Sequence, residues 1–489
     1  MLFNSHIFML LFLPLLLAGW YFLNWKKKFQ LAQGYLIGMS LWFYAYANLQ
    51  YLWLLLFSCL IGWLLSCLPE KIFSEKGKKV LTGVGCVFHL GLLGYFKYSN
   101  FFLENLNTVF HMDFPMLQIL LPVGISFYTF QQLAYLIDRC RGDAPRDSFF
   151  DYLTFMVYFL QLLQGPILLR SEFMGQLKEP ERRRFHAERF SEGIQFFVFG
   201  LAKKVLLADT LAKAVNYGYS NVSMLDSISA LLLAVGYLTE LYFDFSGYCD
   251  MAVGLGKMIG LEVAENFDAP FHSASVKEFW RRWHMTLGRF FTRYVYIPLG
   301  GNRRGKMRTL CNVMIVMLLS GLWHGAAWTF VLWGFLHGVG MIWDNLEHSH
   351  LPKKWMRQAA TFAYVCMTFV FFRAESIAQG VDVLRSIVSL KWNGFVFQMA
   401  SALDMTEFYM ITKALSMKLP GLLSWFWLGI FVVLIAICFR VLSGEKVSGV
   451  VALQRQKGYG RLYPVLLAVL FTWSMISMTG VSEYLYFSF

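Results

Sequence analysis

The chain has 489 residues, of which 57% are hydrophobic and only 15% charged, and it carries a net charge of +13. Soluble globular domains hold roughly 25% charged residues, so this composition excludes a soluble protein. The basic residues sit in short blocks between apolar runs, a pattern that orients a membrane protein and argues against nucleic-acid binding.

No stretch resembles a separate soluble domain of about 100 residues or more, so residues 1–489 read as a single integral membrane domain. The fold class expected is all-α, a polytopic helical bundle of about 11–12 transmembrane helices embedded in a lipid bilayer. Candidate spans in the first third cover about 7–23, 31–48, 51–68, 80–97 and 116–137. The opening segment lacks a basic n-region and a small-residue cleavage site, so it reads as a retained first helix. Lys26, Lys27 and Lys28 follow the first span, Lys71, Lys76, Lys78 and Lys79 the third, and Arg139, Arg141 and Arg146 the fifth. Alternating spans put all three clusters in the cytoplasm and the N-terminus outside.

Residues 150–169 are apolar, yet the loop beyond them (Lys178, Arg182, Arg183, Arg184, Arg189) is basic again. Both ends belong on one side, and Gln164-Gly165-Pro166 marks a re-entrant or interfacial segment. Irregular backbone survives at membrane depth only inside protein or beside a water-filled cavity. Later spans cover about 192–208, 228–247, 310–326, 328–343, 358–372, 421–441 and 462–480. Between them, 261–308 mixes aromatics with many arginines and belongs to the cytoplasmic side, part of it dipping into the membrane. The block from Arg440 to Arg461 is cytoplasmic as well, which delivers the C-terminus to the outside.

The eight cysteines show no CxxC spacing and read as small buried hydrophobes. No metal site is expected, and His348 with His350 is too little to make one. His6, His89, His111 and His186 read as interfacial or solvated. His324, in Ser320-Gly321-Leu322-Trp323-His324-Gly325-Ala326-Ala327-Trp328, stands between two strongly apolar runs. It lies roughly 21 Å along a helix starting near 310, and an ionisable residue at such depth is a functional candidate. The alternative is a histidine hydrogen-bonded between helices. Gly321, Gly325, Ala326 and Ala327 suit the close approach of another group to the imidazole.

His284 follows Phe279-Trp280-Arg281-Arg282-Trp283. Arg281 and Arg282 suit the phosphates of an anionic donor, or else serve as an interfacial anchor belt. Glu240, Asp244 and Asp250 should pair with arginine or line a cavity.

These residues resemble the membrane-bound O-acyltransferase family, in its alginate and peptidoglycan O-acetyltransferase branch. The likeness runs through SLWFYAYAN, GLLGYFKYSNFF, LPVGISFYTFQQLAYLID, YFDFSGYCDMAVGLGKMIG, NFDAPFHSASVKEFWRRWHMTLGRFFTRYVYIPLGGNRRG, SGLWHGAAWTFVLWGFLHG and FVFFRAES, in order. It implies a bundle pierced by a central tunnel, with His324 as general base and His284 as the second polar group of the active site, orienting the acyl carbonyl or stabilising the oxyanion. It implies acyl transfer from a cytoplasmic thioester, acetyl-coenzyme A with no bound cofactor, to an extracytoplasmic polysaccharide. It further implies a bacterial inner membrane location and an extracytoplasmic partner of the serine-hydrolase-like type. The tail Ser482-Glu483-Tyr484-Leu485-Tyr486-Phe487-Ser488-Phe489 resembles an aromatic C-terminal signature of this branch, with Tyr486 as an acyl relay or, alternatively, an aromatic anchor. A close variant of the reading is the D-alanyl transferase of teichoic acid. A reading from another class is a polysaccharide or small-molecule transporter.

Overall fold

The computed structural model describes residues 1–67, 75–346, 353–442, 446–458 and 460–478. Tyr486, His348 and His350 lie outside these residues. Among the described residues every regular element is a helix. Six helices among the described residues are long and apolar enough to cross a membrane: Phe8–Trp25, Leu49–Cys67, Lys76–Phe110, Ser227–Ile259, Lys306–His324 and Pro420–Leu442. Leu462–Ser477 is a shorter apolar helix. The expected spans near 31–48, 328–343 and 358–372 are helices too, at Phe29–Asn48, Trp328–Leu346 and Lys354–Arg373.

Three expected spans differ in the structure, the first being the one expected at 80–97, which runs through Lys76–Phe110. The span expected at 116–137 is helical only over Ile125–Arg141, because Pro122 and the left-handed Gly124 (φ 77°) precede it. The one expected at 228–247 runs on to Ile259, a 33-residue helix. No proline interrupts it, and the left-handed Gly260 (φ 80°) ends it. At 1.5 Å per residue it is about 50 Å long, well beyond the roughly 30 Å of a bilayer's hydrocarbon core.

The chain forms two compact units that interleave along the sequence. Unit 1 comprises Met1–Phe197, Cys249–Glu265 and Thr286–Pro298. Its core is a cluster of aromatic rings: Phe43 and Phe159 lie 5.5 Å apart, and Phe8, Phe12 and Phe3 pack around them. Phe149–Met156 and Phe159–Leu162 are short helices, after which Gln164–Leu169 leaves the helical path. Gln164 is fully buried, and a Cβ at Gly165 would stand 1.8 Å from the Leu160 carbonyl oxygen. This irregular backbone is therefore enclosed by protein, as a low-dielectric setting requires. The Ile167 amide donates to Thr286 Oγ1 (3.1 Å), and Arg289 forks onto the Glu172 carboxylate.

His89 departs from the interfacial role expected of it. It is 1% exposed inside the helix Glu75–Leu93, and its Nδ1 lies 3.3 Å from Ser58 Oγ.

Unit 2 comprises Val198–Tyr248, Asn266–Met285 and Leu299–Phe489. Of the acidic residues expected to pair with arginine or line a cavity, Asp244 is paired to a lysine. Lys204, in the π-helical turn Lys203–Ala208, reaches Asp244 at 2.6 Å and Asp209 at 2.8 Å. Lys204 and Asp244 are each only 2% exposed. A wide turn sets one side chain out of helical phase, and here it aims an ammonium between two carboxylates. Glu240 lies one helical turn before Asp244 and is also buried.

Candidate active site in unit 2

His324 is the last residue of the helix Lys306–His324. Gly325 turns extended (φ −157°, ψ 150°), and Trp328–Leu346 runs back along the first helix. The return is tight because glycines face each other. A Cβ on Gly321 would lie 2.3 Å from the Phe330 oxygen, and one on Gly334 would lie 2.4 Å from the Met317 oxygen. Small residues let helix backbones touch, and this contact fixes the height of His324 in the hairpin. The glycines around His324 therefore serve helix packing; a Cβ on Gly325 would meet the Phe330 ring at 2.1 Å.

The imidazole of His324 is 4% exposed. It is boxed by Trp323 (4.9 Å between ring centroids), Trp333 (5.2 Å) and Phe372 (5.2 Å). Behind Trp333 stands a histidine that the sequence reading passed over, His337. It is fully buried, 4.9 Å from Trp333. Trp280 Nε1 donates to its Nδ1 (3.2 Å), while its Nε2 lies 2.9 Å from Thr368 Oγ1. Thr368 Oγ1 itself donates to the Val365 carbonyl (2.8 Å), so the His337 Nε2–H donates to Thr368. Both nitrogens of His337 are spoken for, which makes it a structural support for Trp333.

His284 sits at the break between two short helices, Val276–Arg282 and Met285–Phe291. Its backbone is left-handed (φ 45°), an uncommon state for a residue with a Cβ. Such a state costs on the order of 1–3 kcal/mol and persists only where surroundings impose it. Asn266–Asp268 supplies them. The Asp268 amide donates to the Arg282 carbonyl (2.9 Å) and the Met285 amide to the Asn266 carbonyl (3.0 Å). The side chain of Asn266, 1% exposed, faces His284 Nδ1 at 3.2 Å. Phe245 meets the imidazole edge-on at 4.8 Å, and Trp323 lies 6.2 Å away. Trp323 thus borders both imidazoles: unit 2 gathers His284 and His324 around one indole.

The two arginines part company. Arg281 is exposed. Arg282 is held by Glu278 (2.9 Å) and donates to the Asp268 carbonyl (3.2 Å), so it secures the turn that carries His284.

Sequence reasoning missed Asn266, Phe245, Trp333 and Phe372. The only signal was their place inside motifs already noted, NFDAPF, YFDF, the run after SGLWHG, and FVFFRAES.

A peptidoglycan O-acetyltransferase from Helicobacter pylori is 35% identical over 423 residues, 80% of this chain and 80% of its own. The model of the membrane-bound O-acyltransferase family matches residues 146–378, a stretch that contains both histidines. The chain belongs to this family. It is a membrane O-acyltransferase. Another relative, a probable alginate O-acetylase AlgI from Azotobacter vinelandii, is 39% identical over 77% of this chain and 76% of its own. A teichoic acid D-alanyltransferase from Bacillus subtilis is 28% identical over 52% of this chain and 69% of its own.

Proposed function

We propose that this acyltransferase carries an acetyl group from acetyl-coenzyme A in the cytoplasm towards a hydroxyl of an extracytoplasmic polysaccharide, of the alginate or peptidoglycan kind. The observation that supports it most is the pair of buried imidazoles around Trp323, in a chain whose O-acetylating relatives align over more than three quarters of its length. The D-alanyl reading draws on likeness over only about half the chain.

His324 is the general base. As the hydroxyl oxygen attacks the thioester carbonyl carbon, its proton passes to the imidazole and a tetrahedral oxyanion forms. Collapse breaks the carbon–sulfur bond. The imidazolium returns the proton to the departing thiolate, so neutral histidine is regenerated. Imidazole suits this exchange because its ordinary pKa lies near neutrality. Arg281 contributes charge for the donor's phosphates. Tyr486 receives the acetyl group first and passes it to an extracytoplasmic partner of the serine-hydrolase-like type. The chain works in the inner membrane of a bacterial cell.

The test is transfer of radiolabelled acetyl from acetyl-coenzyme A in membranes carrying the full chain. His324→Ala is expected to lose about 10²–10⁴-fold of the transfer while the protein remains inserted and expressed. Near-normal transfer by a well-expressed variant would overturn the assignment.

A further inference from the structure

We infer that Asn266 is a positioning residue that fixes the tautomer of His284, so that His284 presents a lone pair to the reacting groups. The inference rests on the acyl-transfer reading above. The contact that carries it is the 3.2 Å approach of Asn266 Oδ1 to His284 Nδ1. An amide oxygen can only accept a hydrogen bond, so Nδ1 carries the proton and donates. In neutral imidazole the other nitrogen, Nε2, is then the acceptor.

The assignment of roles changes accordingly. A neutral His284 in this tautomer cannot donate from Nε2 to an acyl carbonyl or an oxyanion. It can receive the hydrogen of a hydroxyl and hold that oxygen in line for attack. His284 thus belongs with the nucleophile side of the reaction, beside the base His324.

The grip on His284 is built twice over. The Asn266 carbonyl accepts from the Met285 amide, which fixes the backbone on one side of His284. The Asn266 amide side chain fixes the ring. Together they hold the left-handed backbone of residue 284 and the direction of Nε2. Around the ring stand Phe245, nearly perpendicular to it at 4.8 Å, and Trp323, tilted at 6.2 Å. Ionisable groups on the surrounding elements include Glu240, Asp244, Asp250 and Lys257 on the long helix, with Asp244 paired to Lys204 and Lys257 to Glu192. Asp268 lies on the gripping segment with Lys446 at 3.5 Å, and Lys277, Glu278, Arg281 and Arg282 lie on the preceding short helix, with Arg282 paired to Glu278. Arg289 on the following short helix is paired to Glu172, and His324 ends the helix Lys306–His324.

The decisive pair of variants is Asn266→Asp and Asn266→Leu, assayed with radiolabelled acetyl-coenzyme A in membranes carrying the full chain. Asn266→Asp keeps shape and acceptor but adds a negative charge facing Nδ1–H. That charge favours the imidazolium, so the neutral acceptor form is lost at a higher pH. The acid limb of the rate profile should move up by about one pH unit or more, with activity recovered on the alkaline side. Asn266→Leu fills the space without an acceptor; kcat should fall about 10²-fold with the donor KM within twofold. An unmoved acid limb in Asn266→Asp, or near-normal kcat in Asn266→Leu, overturns the inference. Asn266→Asp is isosteric, so the first arm stands even if Asn266→Leu fails to accumulate. His324→Ala run alongside separates the two readings: if it is inactive while Asn266→Leu is active, only the role of Asn266 fails.

Discussion

Replacing Lys204 by methionine would remove the ammonium that lies 2.6 Å from Asp244 and 2.8 Å from Asp209, and leave the rest of the π-helical turn in place. Methionine matches the length of the stem and keeps its apolar contacts, so the change isolates the charge. Asp244 is 2% exposed and would be left as a buried carboxylate without its counter-ion, whereas Asp209, at 24%, can still reach solvent. Breaking a buried ion pair from one side typically costs about 3–5 kcal/mol, most of it the stranded charge. Removing both partners of such a pair is often neutral. Lys204→Met is therefore expected to lower the melting temperature of the detergent-solubilised protein and its yield in membranes. Lys204→Met combined with Asp244→Leu should recover most of that loss. The measurement is thermal unfolding followed by size-exclusion chromatography of wild type, single and double variants. A single variant as stable as wild type, or a double variant less stable than the single, would refute the reasoning.

Arg281→Lys should raise the donor Michaelis constant severalfold while leaving insertion intact, because lysine keeps the topological charge but loses the guanidinium fork; an unchanged constant would show that Arg281 serves orientation alone. Arg282→Lys should instead reduce thermal stability, since Arg282 holds Glu278 and the Asp268 carbonyl, and a variant that shifts only the donor constant would contradict that placement. Tyr486→Phe keeps the ring and removes the hydroxyl; transfer to the final acceptor should be abolished, and a normal rate would reduce the tail to an anchor.

The membrane character and the places of the two candidate histidines were legible in the sequence because both depend on simple contrasts. Long apolar runs differ sharply from soluble composition, and His324 and His284 are polar points within apolar or aromatic stretches. The break at Gln164-Gly165-Pro166 was legible for the same reason: glycine and proline disrupt a helix wherever they meet. Other features required the tertiary structure. Asn266 and His284 lie 18 residues apart, and only the antiparallel pairing of two irregular segments brings them together. His337 looked like any residue of an apolar helix, and its bonds to Trp280 and Thr368 come from two other helices. The cation beside Asp244 is a lysine where arginine or a cavity wall was expected, because the local widening at Lys203–Ala208 delivers Lys204 there. The glycines beside His324 also pack against the neighbouring helix, a contact the sequence alone did not show.

The interleaving of the two units bears on how the enzyme is made. Unit 1 draws on nothing beyond Pro298, whereas unit 2 takes most of its residues from the chain that follows. Translation therefore finishes the pieces of the first unit while the second still lacks His324, Trp333 and Phe372. Asn266 and His284 emerge from the ribosome before the last segment of unit 1, and wait for the hairpin that completes their surroundings. No single cut of the gene keeps the pair together: a chain truncated after residue 298 would hold His284 without His324, and one beginning there would hold His324 alone.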